Sequence, residues 1–308
     1  MGEFNLIEQF FRHAPQGSTV LLGPGDDGAI VRPSPGMALA MSMDTLLEGR
    51  HFPPGFPAEY IGWRSLAVNL SDLAAMGARP RWALLSLTLP EIDEAWVAGF
   101  CKGFYALAEE AGVSLVGGDT VKGPLSVSVQ VTGEVPPSRA MRRQGARPGD
   151  KLCLTGPVGM AAAGLAEWQS GVRSGELVDA FAKPQPQLAT GLRLQGMATA
   201  AIDVSDGLLA DLQHMLVASG NVGAELIVEE LPVNHAFLQW RDAAAREQAQ
   251  LHGGDDYQLL FTILNHVSVP QGCVQVGRIT SQPGIRVQNH RGEWLNDADP
   301  QGWDHFLS

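Results

Sequence analysis

A two-domain α/β chain with α+β character is predicted by three features of the sequence. At 308 residues it is long for one core, and two domains of about 150 residues are the default expectation. In the second half, strand-like runs alternate with helix-like runs, the pattern of an α/β layer. Before and after residue 120, strands follow one another directly, which predicts an antiparallel or mixed sheet in the first half.

Residues 3–13 are a predicted amphipathic helix with Phe4, Ile7, Phe10 and Phe11 on one side. Segments 18–22, 29–31 and 37–43 are strand-like, the first two joined by a loop over 23–28. Residues 58–76 carry Ile61, Leu66, Leu70 and Leu73 at helical spacing, which sets Asn69 and Asp72 one turn apart. Segment 82–89 is a strand stopped by Pro90, and a long helix opens at 92–95 and runs to Gly112. A short buried strand over 114–116 enters Gly117-Gly118-Asp119. Leu125, Val127, Val129 and Val131 then alternate with Ser126, Ser128, Gln130 and Thr132, the period-two signature of a half-exposed strand.

The turn-rich stretch 144–150 marks the domain boundary, giving domains over 1–149 and 150–308. Beyond it come a strand over 151–155, a glycine-rich turn, a helix from about Met160, and a proline-rich connector at 183–186 leading to another helix. Strand 200–204 delivers Asp203 and Asp206 to the start of helix 207–218, and 224–229, 234–250, 257–263 and 273–279 continue the alternation.

Composition narrows the class. Lys and Arg total 21 against 33 Asp and Glu, a net charge of −12 that excludes the nucleic-acid backbone as an expected partner. Cys101, Cys153 and Cys273 are widely spaced without a C-x-x-C pair, which argues against a zinc site or disulfide framework and suits a reducing cytoplasm. No apolar stretch approaches the length of a membrane span, and the first residues lack the apolar core of a secretion signal. A cytoplasmic protein with no membrane partner is expected.

The acidic residues are grouped. Gly25-Asp26-Asp27, Asp44-Thr45, Ser71-Asp72, Gly117-Gly118-Asp119-Thr120, Asp203-Val204-Ser205-Asp206-Gly207 and Gly253-Gly254-Asp255-Asp256 recur where strands are expected to end. Carboxylates gathered in one cleft repel one another unless cations lie among them. Oxygen donors of this kind suit Mg²⁺, above all when phosphates complete its shell. A Mg²⁺-dependent enzyme acting on phosphates is the first expectation.

Familiar phosphate-binding patterns do not account for it. Residues 23–28 satisfy G-x-G-x-x-G, but Ala29-Ile30-Val31 read as strand where a dinucleotide fingerprint needs a helix N-terminus. No G-x-x-x-x-G-K-[ST] loop and no His-Arg-Asp or Asp-Phe-Gly triplet is present; the stretch 156–164 lacks lysine and reads as a closely packed strand-to-helix turn. Asp72 is a poor helix-interior residue and shares a face with Asn69, which favours function over structure. Ser205 or Asp206 is suited to capping the following helix, a role compatible with metal ligation. Taken alone, His51 reads as surface decoration, Arg142-Arg143 as either a solvated pair or a phosphate clamp, and Trp303 as either tail packing or a stacking platform.

The ordered set of motifs resembles the thiamine-monophosphate kinase family of the aminoimidazole-ribonucleotide-synthetase-like (PurM-like) superfamily. The matching stretches are 23–27, 42–45 with His51-Phe52, 67–77, 117–120, 145–150, 202–207 and 253–257, which span nearly the whole chain in order. The resemblance implies a two-domain fold whose N-terminal mixed sheet forms a homodimer and whose C-terminal domain is α/β. It implies phosphorylation of thiamine monophosphate to thiamine diphosphate, with ATP as co-substrate and several Mg²⁺ ions. By position, Asp27, Ser42, Met43, Asp44, Asp72, Asp119, Asp203 and Asp206 correspond to metal ligands, with Asp44, Asp72, Asp119 and Asp206 as the catalytic carboxylates. Gly118, Asp119, Arg143 and Ser205 correspond to ATP contacts, and His51, Asp255 and Trp303 to the thiamine phosphate site. Two departures stand out: Met43 replaces a polar residue and would ligate through its carbonyl, and Asp255 stands where Glu is frequent, one methylene shorter. Rival readings are an aminoimidazole-ribonucleotide-synthetase-like enzyme and a non-catalytic nucleotide-binding scaffold. The absence of cysteine before residue 101 and the ending Phe306-Leu307-Ser308 argue against selenophosphate-synthetase and hydrogenase-maturation relatives.

Overall fold

The computed structural model of the chain describes residues 2–295, 298 and 300. They fall into two compact units, Met1–Leu73 with Ala78–Ser138, and Ala74–Gly77 with Arg139–Ser308. Apart from the Ala74–Gly77 segment, the division lies between Ser138 and Arg139, ahead of the turn-rich stretch at 144–150.

Unit 1 runs α1 (Glu3–Phe10), β1 (Val20–Leu22), β2 (Ile30–Val31), β3 (Ala38–Leu47), α2 (Ala58–Ala75), β4 (Arg79–Leu89), α3 (Glu94–Ala111), β5 (Ser114–Lys122) and β6 (Ser126–Val135). The last residues of α2, Ala74 and Ala75, belong to unit 2. The N-terminus of α3 is capped by Asp93, whose carboxylate accepts from Ala95 and Trp96. Its C-terminus closes on Gly112 in the left-handed conformation. Helices α2 and α3 lie backbone to backbone: a Cβ on Gly62 would stand 2.0 Å from the Phe100 carbonyl oxygen, and one on Gly103 would stand 1.9 Å from that of Glu59.

The sheet order β3-β6-β4-β5 is mixed, with β4 and β5 parallel and the other pairs antiparallel. Leu46, Val127, Val129, Val131, Leu85 and Leu87 are buried on one face. The opposite face of β3 exposes Leu39, Met41, Met43 and Leu47, and Leu84 of β4 is exposed in the row of Met43 and Gln130. The predicted alternation of β6 is thus real: its valines enter the core and its Ser and Gln face outward.

Unit 2 contains β7 (Lys151–Leu154), α4 (Met160–Gln169), α5 (Glu176–Ala182), α6 (Leu188–Leu194), β8 (Ala198–Asp203), α7 (Leu208–Ala218), β9 (Gly223–Ile227), α8 (His235–Gln239), α9 (Ala243–His252), β10 (Leu259–Ile263), β11 (Val274–Thr280), β12 (Gly284–Gln288) and β13 (Trp294–Leu295). The strands form one sheet ordered β13-β12-β9-β11-β7-β10-β8, antiparallel except for the β12·β9 pair. Leu152, Leu154, Ile202, Leu212, Leu226, Leu260 and Val276 build the main core on one side, and Cys153, Ala201, Leu259, Phe261 and Ile263 pack with Leu194 on the other. Gly191 lets α6 approach Ala74, whose carbonyl oxygen would be 2.2 Å from a Cβ there. Among the described residues no helix is long and apolar enough to cross a membrane.

The structure departs from the sequence expectation at several elements. Asp44 and Asp119 lie within strands, because β3 pairs with β6 through Leu47 and β5 stays paired with β4 through Lys122. Only Asp203 closes a strand. The helical segment expected over 234–250 is two helices, because Asp242 caps a new one by accepting from Ala245. Helix α5 and the β12–β13 hairpin lacked a periodic signal of useful length.

Candidate active site

In unit 1 the candidate residues gather on and beside the sheet. Ser42 and Asp44, two positions apart on β3, share its covered face, and the Ser42 hydroxyl donates to the Asp72 carboxylate of α2. One turn before Asp72, Asn69 is fully buried and donates to the Ser65 carbonyl at 3.0 Å. Its Oδ1 has no hydrogen-bond partner among the described residues. Met43 points its side chain to the other face, where it is 62 % exposed. Asp27 is exposed in the β1–β2 loop, where its N–H donates to Asp26 Oδ1 at 2.9 Å. Since that loop enters β2 and not a helix, the G-x-G-x-x-G match is a β-turn feature.

Asp119 is exposed on β5 opposite Ser86, and accepts the N–H of Thr120 at 2.9 Å. Beside it, Gly118 has a φ of 153°, and a Cβ would stand 1.8 Å from the Leu85 carbonyl oxygen. The bare backbone at 118 is therefore a steric necessity of the close approach to β4. His51 follows β3; its Nδ1 accepts the Leu47 N–H at 3.0 Å, so the neutral ring carries its proton on Nε2 as a donor.

In unit 2 two loops interlock. Asp255 N–H donates to Ser205 O at 2.8 Å, Tyr257 N–H to Val204 O at 2.9 Å, and Val204 N–H to Gln258 O at 2.8 Å. Gly254 permits this approach, since a Cβ there would stand 2.4 Å from Ser205 O. Asp255 and Tyr257 both hold left-handed φ values, 71° and 52°, and the Tyr257 hydroxyl donates to Asp255 Oδ1 at 3.0 Å. Non-glycine residues persist in that region only when their surroundings over-determine them. Asp203 is buried at the end of β8, whereas Ser205 and Asp206 are partly exposed. Arg142 accepts the Ala201 N–H on its carbonyl, and the Arg142 and Arg143 side chains are exposed.

Sequence reasoning missed two carboxylates that hold these loops. Asp211, in the first turn of α7, accepts on one oxygen from Ser205, Asp206 and Gly207 at 3.0, 3.1 and 3.2 Å. The capping role expected of Ser205 or Asp206 is not observed: α7 begins after Gly207 without a side-chain cap. Asp256 accepts from Gly159 at 2.5 Å and Ala161 at 2.9 Å, so the start of α4 is satisfied by the protein's own carboxylate. Burial pushes both carboxyls up to about 7; Asp206 raises Asp211 further and Asp255 raises Asp256, while the backbone donors pull the other way. The available signal for Asp211 was an acid five residues after Asp206, in the first turn of a helix that follows a Gly-containing loop. Trp303 lies outside the described residues.

Among the described residues no group of three or more His, Cys, Asp or Glu side chains is placed to hold a metal unaided. The candidate ligands all offer hard oxygen donors, Met43 through its backbone carbonyl. Such a set fits Mg²⁺, which is typically bound through one or two carboxylates with substrate phosphates completing its shell.

Residues 25–135 match the sequence model of the AIR synthase related protein, N-terminal domain, and residues 147–288 match that of its C-terminal domain. The thiamine-monophosphate kinase of Salmonella typhimurium is 40 % identical over 322 aligned residues, covering 100 % of this chain and 99 % of the relative. The crystal structure of the thiamine-monophosphate kinase from Stenotrophomonas maltophilia K279a superposes with a TM-score of 0.83 at 40 % identity, covering 94 % of this chain and 97 % of that one. A structure of AaThiL complexed with AMPPCP and TMP gives a TM-score of 0.81 at 32 % identity, covering 91 % of each chain. With both family domains in order and identity sustained from end to end, the chain belongs to the thiamine-monophosphate kinase family.

Proposed function

We propose that this chain transfers the terminal phosphoryl group of ATP to the phosphate of thiamine monophosphate, forming thiamine diphosphate and ADP. The observation that carries the reading is the end-to-end similarity to kinases of that name, together with a relative of the same fold complexed with AMPPCP and TMP. A phosphate oxygen of the acceptor forms the new P–O bond as the bond between the γ-phosphorus and the ADP oxygen breaks. The acceptor oxygen is already ionised, so a general base is dispensable. Direct in-line transfer without a phosphoenzyme fits a site made of positioning and charge-stabilising groups.

Asp27, Ser42, the Met43 carbonyl, Asp44, Asp72 and Asp119 of unit 1, and Asp203 and Asp206 of unit 2, are the residues that would hold several Mg²⁺ ions. Bound there, Mg²⁺ supplies the positive charge that this acidic chain lacks for the phosphates of both substrates. Gly118 and Asp119, with Arg143 and Ser205, are assigned to ATP. The exposed Arg143 guanidinium and the Ser205 hydroxyl are suited to phosphate oxygens. His51 and Asp255 are assigned to thiamine monophosphate, His51 through its Nε2 donor and Asp255 through the carboxylate that Tyr257 orients. Trp303 is assigned to the same substrate by its place in the family pattern. The enzyme is proposed to be a cytoplasmic homodimer, paired through the exposed apolar face of β3.

The test is ADP release from ATP and Mg²⁺ in the presence of thiamine monophosphate, with free thiamine and aminoimidazole precursors as rival acceptors. Turnover that requires thiamine monophosphate and is lost with EDTA is expected. ATP binding without turnover on that acceptor would overturn the reading.

A further inference from the structure

The Val204–Gly207 loop is held from two sides. Its N–H groups at Ser205, Asp206 and Gly207 all point to one oxygen of Asp211, at 3.0 to 3.2 Å. Its carbonyls at Val204 and Ser205 accept from Tyr257 and Asp255. Three successive amides converging on an anion form a nest, a conformation that fixes consecutive peptide planes. With these three amides and two carbonyls committed, the backbone of the loop is held on both sides. From Ala200 to Leu212 every residue is buried except Ser205 and Asp206. These are the two loop residues that the proposed function assigns to ATP and to metal.

We propose that Asp211 is a positioning residue of the phosphoryl-transfer site: its carboxylate gathers the three loop amides so that Ser205 and Asp206 are presented outward together. The inference rests on the proposed function for what those side chains hold, but its geometry stands apart from the identity of the acceptor. Asp211 itself is 2 % exposed, and its carboxylate is committed to the loop amides, so its action runs through the loop. A purely structural role predicts a lower melting temperature and nothing more. A positioning role predicts that a correctly folded protein loses its hold on nucleotide and metal.

The test compares wild type, Asp211→Asn and Asp211→Leu. Binding of AMPPCP with Mg²⁺ is measured by calorimetry, and amide hydrogen exchange is followed over 204–208. In wild type the amides of 205–207 should be protected without ligand. Asp211→Asn keeps an oxygen acceptor in place and should stay within about tenfold of wild type in nucleotide affinity. Asp211→Leu, similar in size but without an acceptor, should free those amides and weaken nucleotide binding by about a hundredfold or more, and raise the Mg²⁺ concentration needed for half-saturation. If Asp211→Leu fails to fold, unprotected amides at 205–207 in folded wild type or Asp211→Asn would still overturn the proposal. So would a folded Asp211→Leu that binds nucleotide and Mg²⁺ as wild type does. Because neither readout involves thiamine monophosphate, failure of the proposed substrate shows separately, as nucleotide binding without turnover.

Discussion

The Ser42 hydroxyl of β3 donates to the Asp72 carboxylate of α2, tying a sheet residue to a helix residue thirty positions further along the chain. Asp72 is therefore aimed at the strand face that also carries Asp44, and the helix-interior aspartate that propensity disfavours has a defined partner.

Asp72→Asn should retain the Ser42 contact through its amide oxygen and keep the fold, while turnover of thiamine monophosphate falls by about a hundredfold or more, the scale of losing a charge-stabilising group. Steady-state kinetics across a Mg²⁺ titration, with circular dichroism as the control for folding, checks this. Near-normal activity at limiting Mg²⁺ would remove Asp72 from the ligand set.

The row Leu39, Met41, Met43 and Leu47 on the open face of β3 is an apolar stripe that water should disfavour. Met41→Glu places a charge in its middle. Sedimentation velocity should show a dimer for the wild type and a monomer, or a shift towards monomer of at least tenfold in Kd, for the variant. Equal sedimentation of the two proteins would exclude this face as the interface.

Stability should depend on pH through Asp211 and Asp256. Both carboxyls are raised by burial to about 7 in the folded chain, above the ordinary value of 3.8. The folded state therefore binds protons more tightly than the unfolded state between those values, and stability contributed by these groups falls as pH rises from about 4 to about 7. Thermal melts over that range should show the slope, and Asp256→Asn, which cannot ionise, should flatten it. An unchanged slope would mean that Asp256 is already a carboxylate throughout, held so by the amides of 159–161.

Tyr257→Phe removes the hydroxyl that donates to Asp255 at 3.0 Å and leaves the ring packing in place. If Asp255 meets thiamine monophosphate, KM for that substrate should rise about fivefold to tenfold, roughly the net worth of one ordinary hydrogen bond, while KM for ATP stays level. Equal changes in both constants would point to a general disturbance of the interlocked loops.

Much of this protein was legible in its sequence for physical reasons that can be named. Period-two alternation in Val127, Val129 and Val131 predicted a one-sided strand, and those three side chains are fully buried. The glycines of Gly117-Gly118 and Gly253-Gly254 marked close backbone approaches, and Cβ atoms at 118 and 254 would collide with carbonyl oxygens. The α/β class, the mixed first sheet and the family could all be read from such local patterns and their order.

What the sequence could not reveal depends on atoms brought together from far apart. Asp44 and Asp119 read as loop residues because Gly and Asp favour turns, yet the ladders with β6 and β4 continue past them; neighbouring strands outweigh local propensity. Asp256 looked like one more member of an acidic cluster, but its partners are the amides of Gly159 and Ala161, nearly a hundred residues earlier. Asp211 read as one more residue of an α-helix until its oxygen met three loop amides. Residue types and spacing determined which chemistry this chain carries. Which carboxylates face outward and which hold the backbone was decided by tertiary structure, because a buried amide must find an acceptor and only the folded chain supplies one.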